Sequence, residues 1–162
     1  MQLTLKRKGD YSVRAMIHVA RHHGDGPRQA RQIASEMQIP YKYLTQILAR
    51  MVADGLLVAK HGPVGGYTLA RAPTDITLLN VVEAAEGPAT FEHCVLEDGP
   101  SDWEETCPVH DIWSRAQHAL ARELASTTLA DLARIDAAIE SGEHQSDTPP
   151  HPQQTERHGQ RN

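Results

Sequence analysis

Residues 39–69 constrain this chain more than any other stretch. Leu44, Ile47, Leu48, Met51 and Val52 recur at three- and four-residue steps. That spacing predicts a helix over about 41–54 with a single apolar stripe. Lys42, Tyr43, Thr45, Gln46 and Arg50 fall largely outside the stripe. Gly55 stops the helix, because a residue without a Cβ takes the left-handed turn at little cost. Leu56-Leu57-Val58-Ala59-Lys60 then reads as a strand, His61-Gly62-Pro63-Val64-Gly65-Gly66 as a turn, and Tyr67-Thr68-Leu69 as the returning strand. Upstream, residues 30–37 carry Ile33, Ala34 and Met37 on one face, a short helix packed against the longer one. Two helices across a tight turn, followed by a glycine-tipped hairpin, make a winged helix-turn-helix. In such a module the second helix enters the major groove and the hairpin lies over the backbone or minor groove. Helix pairs also occur in all-α domains that never touch nucleic acid. The glycine turn is no phosphate-binding P-loop either, since no Gly-Lys-Ser/Thr follows it. It is the fixed order of these pieces that points to DNA.

A net charge of −5 argues against DNA only until its distribution is read. Residues 1–73 hold 11 Lys+Arg against 4 Asp+Glu, a local net of +7, and residues 74–162 hold 5 against 17, a net of −12. A basic half beside an acidic half is the footprint of a DNA-binding domain joined to something else. Lys6, Arg7, Lys8, Arg14, Arg28, Arg31, Lys42, Arg50, Lys60 and Arg71 bracket the expected reading helix and wing. No apolar run is long enough to cross a bilayer, and the opening segment turns basic at once, so a cytoplasmic protein is expected. Two cysteines cannot staple 162 residues; thiols or ligands are expected rather than a disulfide.

The fold class expected is mainly α with a small β wing, a winged helix-turn-helix domain plus a long dimerisation helix. Residues 1–88 form the winged domain, 89–110 a cysteine-containing sensor loop, 111–140 the dimerisation helix and 141–162 a disordered polar tail. Residues 2–8 look extended; a helix then runs over about 10–23, with Asp10 able to cap its first turn. Thr77 can cap a helix of Leu78, Leu79, Val81, Val82 and Ala85, closed by Gly87-Pro88. Residues 90–110 contain Cys94 and Cys107 among six acidic residues and no Lys or Arg, which is no core segment. Residues 111–139 form one long amphipathic pattern, with Ser126-Thr127-Thr128 as a break or kink. A stripe this long exceeds what so small a domain covers. Pairing of two copies, burying Ile112, Leu120, Leu124, Leu132 and Ile135, is expected, and a helix folded back on its own domain is the alternative.

These residues resemble the bacterial transcription regulators of the IscR/NsrR type, the iron–sulfur cluster regulators, over residues 1–139. The resemblance rests on Asp10-Tyr11-Ser12-Val13-Arg14-Ala15-Met16, Tyr43-Leu44-Thr45-Gln46-Ile47-Leu48 and Ala53-Asp54-Gly55-Leu56. It is densest at His61-Gly62-Pro63-Val64-Gly65-Gly66-Tyr67 and Val82-Glu83-Ala84-Ala85-Glu86-Gly87. It continues in Cys107-Pro108-Val109-His110-Asp111-Ile112-Trp113 and Thr127-Thr128-Leu129-Ala130-Asp131-Leu132. It implies a homodimer with two winged domains and a long helix for dimerisation. The basic charges flanking the reading helix and wing predict in turn a palindromic operator, with Lys42 and Gln46 as candidates for base edges, Tyr43 and Thr45 for edge or phosphate contacts, Arg50 beside them, and Lys60, His61, Gly62, Gly65 and Gly66 serving the wing. In many members a loop before the dimer helix carries three cysteines that bind an iron–sulfur cluster. Here the first and last are present as Cys94 and Cys107; the middle one is absent, with Pro100 near its place. The resemblance implies Cys94, Cys107 and His110 as ligands, with the partner subunit's Asp10 completing the set.

Soft iron is satisfied by thiolates, and imidazole or carboxylate can replace some of them. Four donors are what a [2Fe–2S] cluster requires. Zn²⁺ held by Cys94, Cys107, His110 and a carboxylate is a second option, and a metal-free thiol switch a third. From another class comes a small dithiol redox enzyme. It lacks a Cys-x-x-Cys and a base-assisted nucleophile, and it leaves the basic wing without a role.

Overall fold

The computed structural model describes residues 5–88 and 108–143. It comprises α1 (Arg7–Arg21), α2 (Ala30–Glu36), α3 (Tyr41–Ala53), β1 (Leu57–Lys60), β2 (Gly66–Leu69), a single 3-10 turn (Pro73–Asp75), α4 (Leu78–Glu86), α5 (His110–Ser126) and α6 (Leu129–Ser141). The architecture is mainly helical with a two-stranded antiparallel wing. The apolar stripe of α3, Leu44, Ile47, Leu48 and Met51, is wholly enclosed. Around it lie Ala15, Met16 and Val19 of α1, Ile33 of α2, Leu57 of β1, Val81 of α4 and Leu129 of α6. Burying each larger side chain contributes about 1.5–3 kcal/mol, which is why the helical periodicity decides where each element docks. No described helix is long and apolar enough to cross a membrane.

The turn joining α2 to α3 places Gln38 at φ 54, a conformation non-glycine residues seldom adopt. The Ile39 amide donates to the Ala34 carbonyl at 2.9 Å, so the chain reverses within four residues and Pro40 leads directly into α3. Gly55, at φ 69, closes α3 as its sequence position requires. The wing pairs Leu57 with Leu69 and Lys60 with Gly66 at its ends. Its second strand is also tied on the far side: Arg28 N donates to Tyr67 O and Tyr67 N to Arg28 O, both at 2.9 Å. The loop before α2 thus acts as a third strand of one residue, locking the wing to the helical body.

Three expectations change. The first helix starts at Arg7 rather than Asp10, so residues 7 and 8 are helical, and Lys6 occupies the cap position without a side-chain cap. Asp10 is therefore no N-cap: it lies inside the first turn and accepts from Arg14 Nε at 3.0 Å, an i,i+4 ion pair. The single dimerisation helix expected over 111–140 is two helices, parted at the Ser126-Thr127-Thr128 break that the sequence offered. Thr127 is extended, and Thr128 restarts the chain with a capping box: its Oγ1 accepts from the Asp131 amide at 3.2 Å, while Asp131 Oδ2 accepts from the Thr128 amide. Thr77 opens α4 with the same device, through Asn80.

The two caps lie side by side. Leu78 N donates to Thr127 O, and Leu129 N to Ile76 O, each at 2.8 Å. From that junction α6 folds back on α1. Leu129 is fully buried, Leu132 packs on the same core, and Arg21 of α1 pairs with Asp136 at 2.9 Å and with Glu140. Leu132 thus belongs to the chain's own core rather than to a partner's surface, and the winged domain is completed by α6. By contrast α5, which touches α4, buries none of its residues and leaves Ile112 60% and Leu120 45% exposed. Cys94, Cys107 and the rest of the expected sensor loop before Pro108 lie outside the described residues, as does the tail from residue 144.

Candidate nucleic-acid interface

With its stripe committed to the core, α3 turns Lys42, Tyr43 and Gln46 outward as exposed side chains, with Thr45 half-buried beside them. Lys42 and Gln46 stand one helical turn apart, so both can address the same stretch of a groove. Thr45 Oγ1 donates back to the Lys42 carbonyl at 2.9 Å. Tyr43 meets Tyr11 of α1 edge-on, ring centroids 5.6 Å apart, and the Arg14 guanidinium sits over the Tyr11 ring. Arg50 is placed differently. Its Nε reaches Asp54 at 2.7 Å and the Ala84 carbonyl at 3.2 Å, which ties the end of α3 to α4. Tyr41, half exposed with Arg31 over its ring, joins the same outer surface; an aromatic at a helix start carries no periodicity signal to flag it.

The wing tip projects. Lys60, His61, Gly62 and Pro63 are exposed, and Val64 is 81% exposed. Gly65 is buried under the turn, its amide donating to the Gly62 carbonyl at 2.9 Å. A Cβ on Gly65 would fall 2.1 Å from the Lys60 carbonyl oxygen. At Gly66, with φ 152, one would fall 2.5 Å from the Arg28 carbonyl oxygen. Both glycines are needed by backbone approaching backbone, the first to fold the tip and the second to admit the Arg28–Tyr67 pairing.

The acids of the basic half are taken up locally. Asp10 pairs with Arg14, Asp25 with His22, Glu36 with Arg28 and Asp54 with Arg50. None of the ion pairs among the described residues involves Lys42 or Lys60, which leaves positive charge on the reading helix and the wing. Of the expected ligands, His110 is exposed as the first residue of α5, and Asp10 is half-buried on α1.

The sequence matches the Rrf2 family, described as iron-dependent transcriptional regulators, over residues 5–135. The chain belongs to the Rrf2 family. Among its Rrf2 relatives, CymR of Bacillus subtilis is 31% identical over 131 residues, covering 81% of this chain and 90% of CymR. IscR of Yersinia enterocolitica is 29% identical over 144 residues, covering 89% and 87%. The structure of B. subtilis CymR, described as the global cysteine regulator, superposes with a TM-score of 0.69 at 30% identity, covering 82% of this chain and 98% of that one. That of T. potens IscR does so at 0.68 and 31%, covering 90% and 96%. As an Rrf2 protein this chain is a DNA-binding transcription regulator and not an enzyme, which disposes of the dithiol redox reading. Its similarity divides between a cysteine regulator and IscR, so kinship fixes the DNA-binding role without fixing the signal.

Proposed function

We propose that this chain is a cytoplasmic homodimeric regulator that binds a palindromic operator through α3 and the wing, under the control of Cys94 and Cys107. The observation that carries the DNA half is the pair Lys42 and Gln46, exposed one turn apart on a helix whose opposite face is core. A glutamine amide matches adenine N6 and N7 in the major groove, and Lys42 matches guanine acceptors or a phosphate. Tyr43 and Thr45 serve edge or phosphate contacts, and Lys60, His61 and the 62–66 turn meet the backbone or minor groove. Arg50 is left to the α3–α4 contact. Gln46→Ala should weaken the operator by about 1–3 kcal/mol and spare nonspecific DNA, and binding should fall steeply with salt. Fluorescence anisotropy on both DNAs checks this; equal loss on both would remove Gln46 from the reading role.

The dimer is formed through α5, whose Ile112 and Leu120 no described element covers. The control site is Cys94, Cys107 and His110 of one chain with the partner subunit's Asp10. Two thiolates, an imidazole and a carboxylate fit the four-donor need of a [2Fe–2S] cluster, and His110 at the head of α5 ties one donor to the dimer helix. When bound, such a cluster supplies a one-electron redox response at that helix. Asp10 holds Arg14 when it is not a ligand, so ligation exchanges one partner for another. Protein purified without oxygen should be coloured in the visible, with about two irons per cluster, and Cys94→Ala or Cys107→Ala should bleach it. A colourless, iron-free preparation that resists reconstitution sinks the cluster. The absent third cysteine favours a second reading, a thiol switch; there the same two variants alter DNA binding in a colourless protein.

A further inference from the structure

A second group of donors lies in the helical body. We infer that His18, His22 and Glu36 form a binding site for a first-row divalent cation that bridges α1 to α2. His18 lies in the last turn of α1 and His22 is the residue that caps its end, four residues on, with ring centroids 4.8 Å apart. Glu36, the last residue of α2, comes against them. One ligating atom from each of the three lies within 4.8 Å of the others.

His18 Nδ1 and Glu36 Oε2 are 3.4 Å apart, long for an ion pair of good geometry. That separation is close to the edge of a tetrahedron with metal–ligand bonds of about 2.0–2.1 Å. Burial to 2% exposure pushes the His18 imidazole below its ordinary value, holding it in the neutral form that coordinates metal. His22 Nδ1 lies 3.2 Å from Asp25 Oδ2, the carboxylate–histidine arrangement that orients a ligating ring. Glu36 and Asp25 together balance a dication. The side chains of His22 and Glu36 remain partly exposed, which leaves the site open to solvent ions.

Arg28 is the present competitor. Its Nε is 3.4 Å from His18 Nε2 and its Nη2 3.4 Å from Glu36 Oε1, both long contacts. A cation on His18 Nδ1 leaves the ring proton on Nε2, which can then no longer accept from Arg28, and it competes with the guanidinium for the Glu36 carboxylate. Two imidazoles with carboxylate oxygen suit Zn²⁺, Co²⁺, Ni²⁺ or Fe²⁺ rather than Mg²⁺ or Ca²⁺. The consequence is structural: the ion fastens α2, the first helix of the helix-turn-helix, onto α1.

Co²⁺ serves as a visible-absorbing probe. Full-length chain carrying Cys94→Ser and Cys107→Ser removes the thiols from consideration. This protein should bind one Co²⁺ with the d–d absorption of a four- or five-coordinate ion. Zn²⁺ should displace the probe and raise the melting temperature, because it binds the folded state alone. Adding His22→Ala or, separately, Glu36→Gln should weaken binding at least tenfold and abolish the thermal shift, with far-UV circular dichroism unchanged. Binding that survives both substitutions assigns the ion to other groups, such as the tail histidines, and overturns the site. So does failure of the parent to bind Co²⁺ or Zn²⁺ at micromolar concentration.

Discussion

Gly65→Ala should cost this protein its wing, lowering operator affinity by two orders of magnitude or more while the helical body stays folded. The added Cβ would stand 2.1 Å from the Lys60 carbonyl oxygen and 2.9 Å from that of Gly62. Neither obstacle is a flexible side-chain end that can swing aside. The tip must therefore open, breaking the Gly65–Gly62 hydrogen bond and the last pair of the hairpin, Lys60 with Gly66. Lys60 and His61 then lose the fixed path that carries them toward DNA. Gly62→Ala supplies the control. That residue has φ 108, but a Cβ there would meet no atom within 4 Å, so backbone strain of about 1–3 kcal/mol is the whole cost. Anisotropy titrations and thermal melts of the two variants should separate clearly. A Gly65→Ala protein with parental affinity would falsify the role given to the tip.

Replacing Ile112 and Leu120 together by Glu should convert a dimer into a folded monomer. Both side chains are exposed, and α5 contributes none of the buried core, so the substitutions remove little from the stability of one chain. Across a two-fold interface they place like charges where apolar area was to be buried. Two half-sites bound by one linked pair gain a factor on the order of 10²–10⁴ over separate binding, and the monomer forfeits it. Sedimentation velocity reads the assembly, and a two-half-site operator against a single half-site reads the affinity. A parent that sediments as a monomer at micromolar concentration ends the proposal for α5.

The course from residue 30 to residue 69 was legible because its signals are local. Stripe spacing, a stop glycine and a strand pair lie within forty residues, and the docking of Leu44, Ile47, Leu48 and Met51 follows from them. The start of α1 was not, since Lys6 caps it without a side-chain bond and Asp10 looks like the better cap. The break at Ser126-Thr127-Thr128 was legible, but which half of 111–139 folds back on the chain was not. Periodicity says that a face is covered without saying by what, and the same stripe serves an α6 packed on α1 and an α5 that touches α4 yet buries none of its residues. What separates them is Arg21 meeting Asp136 and Glu140, partners 115 and 119 residues distant. The interface divides similarly. Lys42 and Gln46 could be picked out as off-stripe polar residues, whereas the commitment of Arg50 to Ala84 depends on where α4 lands. Gly65 and Gly66 drew notice as a turn motif, yet their need for bare Cα atoms arises from Lys60 and Arg28 carbonyls that sequence does not place.

The junction of the two threonine caps gives the chain a fixed pivot. With Leu78 bonded to Thr127 and Leu129 to Ile76, the path that leaves the winged body after α4 returns to the very foot of that helix. The foot of α4 and the start of α6 are therefore held together in one piece. Helix α5 runs into that junction at Thr127 and packs against α4. If two copies pair through α5 as proposed, a small swing about Thr127 would change the distance between their two α3 helices.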